Sequence, residues 1–150
     1  MPLSIPLLFL VGVGGGVLAT LAMDRAMDRL DEGWTPPSVA SGVLTDTHPD
    51  ESPDRLATAV HYVAGTLSGA LYVWLLLAVA SVLGPGAAAT VVAGVAMYPL
   101  MVGFFALVVL PRSVGMARQR LRATRRAWAI EAAVYLLVLV PVVGVAAALL

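Results

Sequence analysis

Apolar and polar positions fall in long blocks along this chain, not in the alternation of a strand or the single stripe of a surface helix. From Pro2 to Met23 no charged residue occurs, and roughly 20 apolar residues suffice for a helix to cross a hydrocarbon core about 30 Å thick. A second block runs from about Leu56 to Leu83, interrupted only by His61, and a third from Ala87 to Leu110 follows the turn-forming Gly84-Pro85-Gly86. A fourth, Ala127 to Leu150, carries Glu131 near its start. The blocks predict an all-α polytopic membrane protein: one membrane domain over residues 1–150, with a bundle of four transmembrane helices at about 3–30, 55–83, 87–110 and 123–150. Loops at about 31–54 and 111–122 join them. Pro99 and Pro141 lie inside the third and fourth blocks and should kink those helices without breaking them, since neighbours in a membrane can satisfy the freed carbonyl. The first block has no basic residue before it and runs on into Asp24, Arg25 and Asp28, which fits a retained helix better than a cleaved secretory signal.

Composition agrees with the pattern. The chain is 60% hydrophobic and 12% charged, against about 25% charged residues in a soluble domain. The net charge of +0 conceals an asymmetry, because the 9 basic residues are all arginine and flank or fill the two long loops, while the short second connection is uncharged. By the positive-inside rule both long loops face the cytoplasm and both termini lie outside, as expected of a multi-pass protein of the cell membrane. The absence of lysine and cysteine excludes Schiff-base and phosphate-loop lysine chemistry, disulfides, thiolate metal sites and cysteine nucleophiles.

The first loop holds Pro36, Pro37, Pro49 and Pro53 together with Asp46, Asp50, Glu51 and Asp54, a composition of irregular, solvated chain. Its one ordered candidate is a short helix over Pro36 to Leu44 with Thr35 as N-cap, bearing Val39, Val43 and Leu44 toward the interface. His48, beside Pro49, reads as a turn residue. The arginines after the third block, Arg118, Arg120, Arg122, Arg125 and Arg126, have no acid among them and are candidates for anionic lipid head groups. Topology alone accounts for them, and no nucleic-acid partner is implied. Trp34, Trp74 and Trp128 fall near helix ends and read first as interfacial anchors.

Small residues recur at helical spacing. Gly12, Gly16, Thr20, Asp24 and Asp28 form one ridge of the first helix, and Gly65 and Gly69 in the second make the small-xxx-small pattern that lets membrane helices approach closely. Gly94 marks the inner side of the third. Counting about 1.5 Å per residue from the arginine rim puts Asp24, His61 and Glu131 at one level, about 7–9 Å deep. Ionisable groups at membrane depth are costly and ordinarily face a bundle interior. Asp24, Asp28, His61 and Glu131 are therefore the candidate polar site, with Arg25 and Tyr62 as neighbours. Such a group could handle protons or cations, or hold a hard divalent metal through carboxylates and one imidazole. Read structurally, Asp24 and Arg25 are interfacial, Glu131 pairs with an arginine and His61 satisfies a carbonyl. The glycines of Gly12-Val13-Gly14-Gly15-Gly16 lack the strand-helix context of a dinucleotide loop and belong to helix packing. No cofactor is implied.

At Ala19-Thr20-Leu21-Ala22-Met23-Asp24 and His61-Tyr62-Val63-Ala64-Gly65 the chain resembles the YagU-like and related uncharacterised families of small four-helix membrane proteins. The resemblance covers the first two membrane helices and implies a fold, not an activity. Three functional classes follow. The one asking least is a non-catalytic bundle, self-associating as a homo-oligomer or serving as a subunit of a membrane complex. A small ion, proton or solute permeation protein using Asp24, His61 and Glu131 is the alternative. A membrane enzyme acting on lipid or quinone ranks last, because no nucleophile-base pair or metal motif is present.

Overall fold

The computed structural model describes residues 5–149, so the expected helix start at residue 3 and end at residue 150 lie outside the described residues. The order is α1 (Ile5–Met27), α2 (Thr35–Thr45), α3 (Asp54–Leu83), α4 (Ala87–Phe104) and α5 (Arg118–Leu149), with short 3-10 turns at Pro49–Glu51 and Leu110–Arg112. No strand occurs among the described residues. The four long segments, with α4 continuing to Arg112, are each long and apolar enough to cross a membrane. Between 22% and 33% of each apolar window is buried inside the fold. The outer faces therefore remain apolar, as lipid as solvent requires.

The chain forms a ring of helices: α1 packs along both α3 and α5, and α4 closes the ring against the same two. Glycine decides how tightly. A Cβ added at Gly69 would stand 2.0 Å from the Gly12 carbonyl oxygen, and one at Gly16 would stand 2.8 Å from that of Gly65. The α1 and α3 backbones thus touch where side chains are absent. Gly94 receives Val140 of α5 against α4. Gly15 likewise faces Leu139 and Val142, and one contact of the same kind falls at a glycine outside the expected set, Gly144 against Thr90. Tyrosines then pin helix to helix. Tyr72 donates to the Thr90 carbonyl (2.9 Å), Tyr98 to Ala129 (3.0 Å) and Tyr135 to Gly65 (2.5 Å). Gly84 and Gly86 turn the α3–α4 hairpin with φ of 81° and 143°, values open to glycine and costly for other residues.

Three sequence expectations change. The first loop is ordered. Its helix starts one residue early, with Trp34 in the cap position and no side-chain cap, while Thr35 lies inside the helix and donates instead to the Glu32 carboxylate. Val39 is fully buried against Phe105 and Leu110, so α2 docks beneath the bundle. The chain after it folds back through Ser41 to the Pro53 carbonyl (3.1 Å) and Ser52 to those of Ser38 (3.1 Å) and Pro49 (2.8 Å). His48 is the expected turn residue, its Nδ1 accepting from the Asp50 amide.

The second change is at α5. The sequence predicts a loop to about residue 122, whereas α5 starts at Arg118, even though arginines at a helix N-terminus oppose its dipole. Beyond Gly115, however, the chain from Arg118 holds only Arg, Gln, Leu, Ala and Thr, mostly strong helix formers, and the helix begins there. The third is at α4, which passes through Pro99 as expected and then widens into a π-helical turn at Phe105–Val109. Pro141 likewise lies within a continuous α5.

Candidate functional site

The last full turn of α1 presents Asp24 to the second turn of α3. Asp24 Oδ1 lies 2.6 Å from His61 Nε2, and Tyr62 donates its hydroxyl to Oδ2 at 2.5 Å. Adjacent residues on α3 reach the same carboxyl because it lies between the two side-chain directions, about 100° apart on a helix of 3.6 residues per turn. Asp28, one turn further along α1, does not join them. It accepts from the Trp34 indole N–H at 2.9 Å, and that ring meets His61 edge-on with centroids 5.7 Å apart. The imidazole is thereby held by a carboxylate on one nitrogen and an aromatic edge on its flank. Trp34 is consequently more than an interfacial anchor, as is Trp128, which donates to the Met101 carbonyl (3.0 Å) and stacks on Phe105.

Glu131 lies apart from this network. It is fully buried on α5, one turn before Tyr135, whose hydroxyl bonds Gly65, one turn after His61. The three residues share a level, yet neither Glu131 oxygen has a hydrogen-bond partner among the described residues. Pairing of Glu131 with an arginine is thus not what the fold contains. Among the described residues no three histidine, cysteine or carboxylate side chains converge to hold a metal. The divalent-cation reading has two of its named ligands in contact and no third.

Beside His61 opens a crevice of about 660 Å³. The α3–α4 hairpin diverges from its Gly-Pro-Gly turn, and the gap between the helices is floored by Met23 of α1 and by Trp128 and Tyr135 of α5. Pro36, Pro37, Ala40 and Val43 of α2 close the loop end. Its rim carries Leu67, Leu71, Leu100 and Phe104, which are 61%, 47%, 53% and 62% exposed on the outer surface of the bundle. The crevice therefore opens sideways to the surroundings of the membrane helices. Among the described residues its polar side chains are His61, Ser68 and Tyr135, and no arginine, aspartate or glutamate lines it. Gly65, legible in the sequence as part of a packing face, lies on this wall between His61 and Ser68 of α3. That the hairpin leaves a space in front of it was not legible, because helix divergence has no local signature.

On the loop side, Arg120 is committed to protein. Its guanidinium binds Asp50 bidentately, at 2.8 Å to each oxygen, and its Nε reaches both oxygens of Glu32 at 3.2 Å. This hydrogen-bonded guanidinium holds the Asp50 carboxyl below its ordinary value of 3.8. Arg118, Arg122, Arg125 and Arg126 are exposed and remain the candidates for lipid head groups. Compared with protein-family models, with curated proteins and with solved structures, the chain finds no match in any of the three.

Proposed function

We propose that this protein is a non-catalytic, multi-pass bundle of the cell membrane that takes a lipid-like molecule from the bilayer into the crevice between α3 and α4. The observation that carries the reading is the crevice itself: about 660 Å³, within the roughly 300–1,000 Å³ of ligand sites, apolar, and rimmed by exposed Leu67, Leu71, Leu100 and Phe104. These positions lie in segments long and apolar enough to cross a membrane. Around such segments the solvent is acyl chains, and a gap open to them is filled by what surrounds it. The resemblance to YagU-like families implies a four-helix fold, is consistent with the pairing of Asp24 with His61, and brings no activity with it. A permeation path through Glu131 has less support, since that side chain is enclosed on every side. The orientation follows from charge: the arginines of the first loop and of the α5 start face the cytoplasm, both termini the outside, and Arg118, Arg122, Arg125 and Arg126 meet anionic lipid there.

A diazirine-bearing phospholipid, incorporated with the protein in nanodiscs and mapped by mass spectrometry after irradiation, tests the crevice. Recessed Met101 and Phe105 should be labelled in the wild type and protected in Ala64→Trp, which fills the space, while exposed Leu10 and Leu18 of α1 label equally in both. Labelling of Met101 and Phe105 that survives the tryptophan would sink the proposal.

A further inference from the structure

The polar end of the crevice has a direction of its own. Asp24 receives the Tyr62 hydroxyl on Oδ2 and contacts His61 Nε2 through Oδ1 at 2.6 Å. The nitrogen that faces a carboxylate carries the hydrogen, and that bond fixes the tautomer of a neutral imidazole. In that neutral tautomer the lone pair is on Nδ1. No hydrogen bond within the described residues reaches Nδ1, nor is it sealed away: the enclosed, unpartnered side-chain atoms are both on Glu131. The ring is fixed from the side by Trp34, itself tethered to Asp28, and His61 lines the crevice. His61 thus lines an apolar space with one ring nitrogen held by a carboxylate, the arrangement by which a carboxylate-held histidine receives a hydroxyl proton donor, and no hydroxyl among the described residues donates to its Nδ1.

We infer that the crevice is selective for a neutral lipid alcohol, with its chain between α3 and α4 and its head-group hydroxyl donating to Nδ1 of His61. The inference rests on the proposal that the crevice is a lipid site and names the chemistry of its occupant. A phosphate head would want a permanently cationic side chain on the wall, and no arginine is there among the described residues. An ionised carboxylate would bring a negative charge toward Asp24 and has no proton to give. An ether or ester of the same length fits the space equally well and leaves Nδ1 unpaired.

The comparison is between a diazirine analogue of hexadecanol and the same analogue as its methyl ether, each photocrosslinked to the protein in nanodiscs. The alcohol should label the crevice-lining peptides about fivefold more efficiently than the ether, the discrimination expected of one hydrogen bond. His61→Phe, which keeps a ring and removes the acceptor, should bring the two to equality. Should that variant fail to fold, competition of unlabelled hexadecanol against its methyl ether for the wild-type site gives the same ratio. Equal labelling by both probes in the wild type overturns the acceptor role and leaves the lipid site standing. If neither probe labels the crevice above the outer faces, the lipid site itself is overturned.

Discussion

Asp24 and Glu131 show two opposite states of a carboxyl at the same depth. Asp24 has two donors on it, and Asp24→Ala strands both His61 Nε2 and the Tyr62 hydroxyl. Leaving such groups unpaired costs about 1–3 kcal/mol, so this variant should unfold at correspondingly lower temperature in detergent. Glu131 has no partner on either oxygen and is buried among apolar neighbours. Replacing an unsatisfied group by an apolar one of similar volume removes its desolvation penalty. Glu131→Met should therefore raise the unfolding midpoint, equivalent to about 1–3 kcal/mol. A lower midpoint for Glu131→Met would mean that the carboxyl has a partner absent from the isolated chain. The sequence placed both acids at one level by counting turns. It could not tell them apart, because which acid meets a donor depends on the rotation of α1 and α5 about their own axes.

Helix contacts are decided by what the glycines allow. Gly69→Val would drive a side chain into the Gly12 carbonyl, 2.0 Å from the first added atom, and overpacking of this kind costs about 1–3 kcal/mol or more. Gly14→Ala meets nothing within 4 Å and should be neutral within about 0.5 kcal/mol. The pair, compared by thermal stability, separates close packing from helix propensity, and equal effects would refute the contact. Gly12, Gly16, Gly65, Gly69 and Gly94 were all legible from spacing alone, since a four-residue repeat keeps one face. Gly144 was not, because it stands alone opposite a partner that only the fold supplies. The same limit hid the role of Arg120. Its bond to Asp50 joins residues far apart in sequence, and it is strongest while Asp50 is ionised. The folded-state value lies below the ordinary 3.8, so the tie is fully present above that pH and is lost as pH falls through and below it. Protection of the amides in residues 46–53, corrected for the intrinsic exchange rate at each pH, should accordingly fall at acid pH, and should fall at neutral pH in Arg120→Ala. Exchange insensitive to both would show that the segment is held by its serine and backbone bonds alone.

At the scale of the molecule, the arginine asymmetry predicts an orientation. Cysteines introduced at Glu51 and Gln119, both exposed positions on the loop side, should be protected from impermeant thiol reagent added to intact cells. A cysteine at Ala87, exposed beside the hairpin turn, should react. The reverse pattern would invert the bundle. The ordered first loop makes the choice of positions matter, since Ser52, in the middle of that loop, is buried with its hydroxyl engaged and would report burial in place of sidedness.

Four helices long and apolar enough to cross a membrane, the hairpin turn, the small-residue faces and the charge asymmetry were determined by the sequence alone. Each rests on a local quantity: the length of an apolar run, a glycine at a turn, a repeat of four, the count of arginines in a loop. The tertiary structure decided the rest. It paired Asp24 with His61 and Tyr62 while leaving Glu131 alone, folded an acidic, proline-rich loop into a buried cap, and parted α3 from α4 to make a crevice. These depend on how far helices rotate, tilt and diverge once packed, and in a membrane, where the outside is as apolar as the core, hydropathy does not say which apolar face turns inward.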